Sequence, residues 1–160
     1  MSGVMWMTIP EKKAILNKCR ELNDSINEEL EKLARLKSLA VKVTPTLSLM
    51  PKSTNGDDRI QSSCEKIELQ ERKINRKIDL LVDLKIHLLY DIAMTVDDEV
   101  CMHLLKYRYI DFLSWKDTAM KLNISKSNAR GFYYVQSIKN LEISRKTQNI
   151  VKTLDTKHKM

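Results

Sequence analysis

Apolar residues recur at four- and three-residue steps through the front of the chain: Ile15, Cys19, Leu22, Ile26, Leu33, Leu36 and Ala40, with Glu29 as a polar interruption. Sustained over about three and a half heptads, this stripe predicts a helix with a coiled-coil seam. Pro10 suits the first turn of such a helix, which from residue 11 to 40 spans about 45 Å. The stretch AVKVTPTLSLMPKSTNGDD then breaks the pattern. Proline cannot donate to a helical ladder and restricts the residue before it, and NGDD favours a turn. The first helix is therefore expected over 11–42 and a linker over 43–59, with a short ordered piece around LSLM. Ile60, Cys64, Ile67, Ile74, Ile78, Leu81 and Leu88 restore the stripe, broken by Glu71 and Lys85. Leu80, Leu84 and Ile92 widen its apolar face, which predicts a second helix over 60–92 that also packs against the C-terminal module. Residues 1–92 thus read as an arm whose two stripes close on each other or pair with another subunit.

The pattern changes in 93–143. Asp97 or Asp98 can cap a helix whose inner face is Val100, Leu104, Tyr107 and Ile110, and Glu99 complements the helix dipole. Ser114 caps a second helix with Trp115, Ala119 and Leu122 inward. Asn123 can take the left-handed conformation that ends it, Ile124 plugs the corner, and Ser125 caps a third helix from Lys126 through Leu141. A small residue at the crossing and a short turn would project that third helix so that its first turns enter a major groove. In it, Ala129, Phe132 and Ile138 are expected inward; Lys126, Ser127, Arg130, Tyr133 and Tyr134 are left outward. Gly131 costs about 1 kcal/mol against alanine at an interior helical site, and it is read as a bend.

Charge sharpens this picture. Residues 101–160 hold 12 Lys/Arg against 4 Asp/Glu, whereas the first 100 residues nearly balance, so the net +7 of the chain originates in its last third. A concentrated basic region is the footprint of a polyanion binder. For residues 144–160 alone, a solvated basic tail is the simpler reading.

The segment YRYIDFLSWKDTAMKLNISKSNARGFYY resembles the promoter-reading helix-turn-helix of bacterial sigma factors and, more closely, small phage regulators of the RinA and ArpU type. The arm, with KVTPTLSLMPK between its helices, is similar to the front half of related phage proteins. The resemblance covers about Glu11 to Leu141 and departs from the pattern at Thr118, where such motifs carry Ile or Val. It implies a phage or prophage protein, in the cytoplasm of a bacterial host, that binds double-stranded DNA and regulates late transcription, with host RNA polymerase as a possible partner. Ser125, Lys126, Ser127, Asn128, Arg130, Tyr133 and Tyr134 would form the DNA-binding set. Serine and lysine suit phosphates, arginine suits guanine, and asparagine suits adenine. The fold class expected is all-α, an N-terminal coiled-coil arm followed by a C-terminal helix-turn-helix domain, with homo-oligomers formed through the arm. The alternatives are a protein-interaction factor working through the arm, and a small DNA-packaging subunit.

Other chemistry finds little footing. Cys19, Cys64 and Cys101 stand 45 and 37 residues apart with no CxxC or Cys/His pairing, as expected of free thiols rather than disulfides or a zinc site. Cys101 and His103, two apart on a helix, do not face each other; Cys101 is read as core, and His103 and His87 as surface or rim. Arg108 either reaches a phosphate or pairs with an acid. Trp115 and Tyr107 are expected to be buried rather than to stack on bases. With no glycine-rich phosphate loop, catalytic carboxylate pair or nucleophile motif, neither an enzymatic activity nor a cofactor or metal is expected. No stretch approaches the roughly 20 apolar residues of a membrane span.

Overall fold

A computed structural model describes residues 7–47 and 54–158. The described residues are helical, with no strand among them, and no described helix is long and apolar enough to cross a membrane. The elements are α1 (Ile9–Leu47), α2 (Thr54–Thr95), α3 (Glu99–Tyr109), α4 (Trp115–Leu122), α5 (Lys126–Asn128), a π-helical turn (Ala129–Tyr133), α6 (Tyr134–Asn140) and α7 (Arg145–His158). The chain divides into two compact units. One contains residues 22–79; the other contains α1 up to Glu21, α2 from Leu80, and α3 to α7.

In the first unit, α1 and α2 run antiparallel within one chain. Lys77 Nζ donates to Ser25 Oγ at 2.6 Å, and Lys37 pairs with Glu71 at 3.0 Å. Glu29, the polar break in the first stripe, is buried and forms the hub of the pairing. Its carboxylate accepts from Gln70 Nε2 at 2.6 Å and lies within 3.3–3.6 Å of Lys32, Lys73 and Lys77. The Gln70 hydrogen bond, followed by those from the lysines, holds its pKa at about 2 against the cost of burial. Ile26 and Ile74 are buried, but Ile60, Cys64 and Ile78 of the second stripe are exposed. A single pair of helices covers only one side of each stripe, which leaves the outer seam positions open.

The linker is shorter than expected. α1 continues through Pro45 to Leu47, and α2 starts at Thr54 rather than at 60. Proline's own φ is helical, and its cost lies in the carbonyl four residues back that loses its donor. Here that carbonyl belongs to the solvent-exposed turn at Val41. The expected ordered piece around LSLM, beyond Leu47, lies outside the described residues.

The second unit holds the main core. Leu16 and Cys19 of α1, Leu84, Leu88 and Ile92 of α2, Leu104 and Leu105 of α3, and Ile138 and Leu141 are all essentially inaccessible to water. Burial pushes the Cys19 thiol up to about 12 and raises that of Cys101, so neither is a reactive thiolate. Lys12 of α1 donates to the carbonyls of Ile138 and Lys139 at 3.2 and 3.3 Å, placing a cation at the negative end of α6. Residues 144–158, the described part of the segment expected to be a solvated tail, do not behave as one. Residues 145–158 form α7, with Thr147 and Val151 buried and Asp155 paired to Lys18 at 2.9 Å. The start of α7 is fixed by the buried Asp91 carboxylate of α2, which accepts from Ser144 N, Ser144 Oγ and Thr147 Oγ1 at 3.1, 3.2 and 2.6 Å.

Candidate nucleic-acid interface

The caps read from the sequence are made. Asp98 Oδ1 accepts from Cys101 N, Ser114 Oγ from Asp117 N, and Ser125 Oγ from Asn128 N, at 3.0, 3.1 and 3.1 Å. Asn123 is left-handed at φ 55°, and its N–H and that of Ile124 close the end of α4 on Met120 and Ala119 carbonyls. Leu104, Ala119 and Ala129 form the buried centre of this corner, with Trp115, Leu122, Ile124, Tyr133 and Tyr134 packed around it. Thr118 is fully buried, and its hydroxyl donates to the Ser114 carbonyl at 2.8 Å.

Beyond Arg130 the expected face is corrected. The helix is not uniform from Lys126 to Leu141, because Ala129–Tyr133 winds as a π turn in which the Tyr134 N–H reaches the Ala129 carbonyl. Leu141 itself is extended. The inward face consequently steps from Ala129 to Tyr133 and Tyr134 and on to Ser137 and Ile138, bypassing Phe132. Phe132, expected inside, is 64% exposed. Tyr133 and Tyr134, expected outside, are half-buried. Tyr134 meets Trp115 edge-on at 5.1 Å and shares a 2.6 Å hydrogen bond with the buried Tyr109 hydroxyl, whose pKa is raised by burial and by that bond. Trp115 and Tyr107 are likewise half-buried rather than fully inside.

Ser125, Lys126, Ser127, Asn128 and Arg130 all stand exposed. Met120, Lys121, Phe132, Val135 and Lys139 extend the exposed surface beyond the set read from the sequence. From Thr118 to Leu141 the chain carries Lys121, Lys126, Arg130 and Lys139 and no acidic residue, a signal that a residue-by-residue charge count would have found. Such a surface attracts a polyanion along its whole length. Gly131 sits on it in a helical conformation, and a Cβ built there meets nothing within 4 Å. Gly131→Ala is accordingly expected to raise stability by about 0.5–1 kcal/mol through the reduced entropy of the unfolded chain. Denaturant titration checks this, and a lower midpoint would show that the π turn requires glycine.

Arg108 pairs with no acid among the described residues. It is buried, donates to the Leu113 carbonyl at 2.6 Å, and lies over the Trp115 ring at 4.3 Å. Burial, then the charge of Arg20, lowers its pKa. Comparison with protein-family models, curated proteins and solved structures finds no match to this chain. His103 makes a local contact, its Nδ1 lying 2.8 Å from the Glu99 carbonyl, away from the Cys101 thiol that points to the Tyr133 carbonyl. Among the described residues no group of three or more His, Cys, Asp or Glu could hold a metal ion.

Proposed function

We propose that the chain is a sequence-specific, double-stranded DNA-binding regulator of transcription, acting on phage or prophage late genes, in which the segment from α4 to α6 works as a helix-turn-helix. One observation carries this reading. Immediately after a tight left-handed corner, the exposed run Lys126, Ser127, Asn128 and Arg130 opens a surface with no acidic residue on it. Ser127 and Lys126 suit phosphate oxygens, while Asn128 and Arg130 offer the amide and guanidinium that read adenine and guanine edges. Tyr133 and Tyr134 support the segment by packing instead of touching bases, and Phe132 takes their place on the outer surface. Association of two chains through residues 22–79 would present two such surfaces to paired half-sites.

The test is selection of bound duplexes from a random pool, with the wild-type chain and with Arg130→Ala. The wild type is expected to enrich one motif. Arg130→Ala should relax one position of it, at about 1–3 kcal/mol, or roughly 5- to 150-fold. Unselective binding that the substitution leaves unchanged would overturn the reading. The exposed Leu39, Val41 and Leu69 favour a second reading, in which the helix pair captures a host protein such as RNA polymerase. A salt-insensitive complex with the purified polymerase, without DNA selectivity, would select it.

A further inference from the structure

Behind the exposed surface, two arginines from distant parts of the sequence converge on one backbone oxygen. Arg20 Nη2 of α1 donates to the Leu113 carbonyl at 3.2 Å, and Arg108 Nη1 of α3 donates to the same carbonyl at 2.6 Å. The loop presenting that oxygen is held by an uncommon conformation. Phe112 has φ 57°, a left-handed backbone that residues other than glycine rarely adopt, and Lys85 covers its ring at 4.5 Å. Arg130 joins from the π turn, its guanidinium 5.9 Å from the centre of the Trp115 ring that Arg108 stacks upon. None of the three arginines has an ion pair among the described residues. Arg108 is only 8% exposed, and the Nε atoms of both Arg20 and Arg108 are buried without a hydrogen-bond acceptor.

Three cations gathered without a carboxylate leave desolvation and mutual repulsion uncompensated, apart from one shared carbonyl and one aromatic face. A buried arginine is ordinarily paired with an anion. Here Arg20 is half-buried and Arg130 exposed, so the group reaches the surface through these two residues. A tetrahedral oxyanion seated there would accept from the Nη group that each of Arg20 and Arg108 does not spend on Leu113, and would offset the repulsion. We propose that Arg20 and Arg108, flanked by Arg130, form a seat for one phosphate group. This deepens the DNA-binding reading by naming a backbone contact contributed from α1, outside the reading surface. The same chemistry would also admit free phosphate, and the test separates the two sources.

The test uses the full chain carrying Trp6→Phe, so that Trp115 is its one tryptophan. Inorganic phosphate, with acetate at equal ionic strength as control, is titrated against Trp115 emission. A saturable response to phosphate but not acetate is expected, with its midpoint moved at least tenfold by Arg20→Gln. Arg20→Lys, which keeps a charge and a donor for Leu113, should retain the fold and respond between the two. With a selected duplex, Arg20→Gln should lower affinity, reduce the log–log salt slope by about 0.9, and leave the preferred motif unchanged. Phosphate response lost in Arg20→Gln without any duplex binding would leave the seat standing for free phosphate and remove the DNA reading. Selective duplex binding with an unaltered salt slope in Arg20→Gln, or a phosphate response indifferent to position 20, would overturn the seat.

Discussion

Asp91→Ala is expected to release α7 and to cost the unit around it about 2–4 kcal/mol. The carboxylate is 3% exposed and accepts three hydrogen bonds, from one backbone N–H and two hydroxyls, all at the point where the chain turns into α7. Alanine leaves the Ser144 amide and two hydroxyls without that acceptor, in a place where Thr147 is wholly buried. Unsatisfied buried donors are costlier than the net worth of the bonds themselves, which is why the effect should exceed that of a surface cap. For a unit of roughly a hundred residues, such a loss lowers the thermal midpoint by roughly 10–20 °C. Hydrogen exchange should show residues 145–156 losing protection first, because only Val151, the half-buried Ile150 and Leu154, and the Lys18–Asp155 pair would then be left among the described contacts of its outer turns. Asp91→Asn, which keeps one acceptor oxygen, should lie between. Unchanged protection of α7 in Asp91→Ala would show that its apolar face, not the carboxylate, docks it.

The value of that anchor was invisible in the sequence. Residues 144–160 look polar and basic, and α7 buries few apolar side chains; what fixes it is a long-range pairing between Asp91 and Ser144/Thr147 that no local pattern encodes. Features set by local chemistry were legible. The long helices follow from the spacing of Ile15 to Ile26 and of Leu81 to Leu88, and the caps at Asp98, Ser114 and Ser125 follow from side chains that satisfy nearby amides. The left-handed Asn123 was legible for the same reason. Pro45 was over-read as a stop, since its penalty is one lost bond in a solvated turn and not a forbidden conformation. The candidate surface was half legible. Up to Arg130 the exposed set matches the expectation. Past it, the π turn shifts the winding, so a fixed helical step put Phe132 inside and Tyr133 and Tyr134 outside. The apolar residues after Gly131 stand at 132, 135, 138 and 141, a three-residue step that drifts around a helix; that was the one trace of the turn, and it did not reveal which tyrosine would bond to Tyr109. The convergence of Arg20 on Leu113 joins residues 93 apart and left no trace at all.

Acid should loosen the helix pair of residues 22–79 through Glu29, and Glu29→Gln should remove that pH dependence along with much of the pairing. Glu29 is 5% exposed, yet it is ionised well below the usual carboxylate range because Gln70 donates to it and three lysines surround it. Its folded pKa of about 2 lies below the ordinary 4.5, so its charge stabilises the folded unit above about pH 4.5. The contribution shrinks as pH falls through that range and is gone below about 2, where both states bind the proton. Glutamine keeps the shape and one acceptor but surrenders the charge, leaving Lys32, Lys73 and Lys77 to repel one another around a neutral group. The lysines are partly solvated, so water offsets part of that repulsion, but the charge-assisted bond from Gln70 at the buried centre becomes a weaker neutral one. Residues 22–79 contain no aromatic side chain, so fluorescence and near-ultraviolet dichroism are blind to this unit. Hydrogen exchange over residues 22–42 and 59–79 is the fitting measurement. At pH 7, protection in Glu29→Gln should fall well below wild type, and the difference between the two should narrow steadily from about pH 4.5 downward. A gap that stayed constant to pH 2 would mean that packing of the side chain, not its ionisation, holds the helices together.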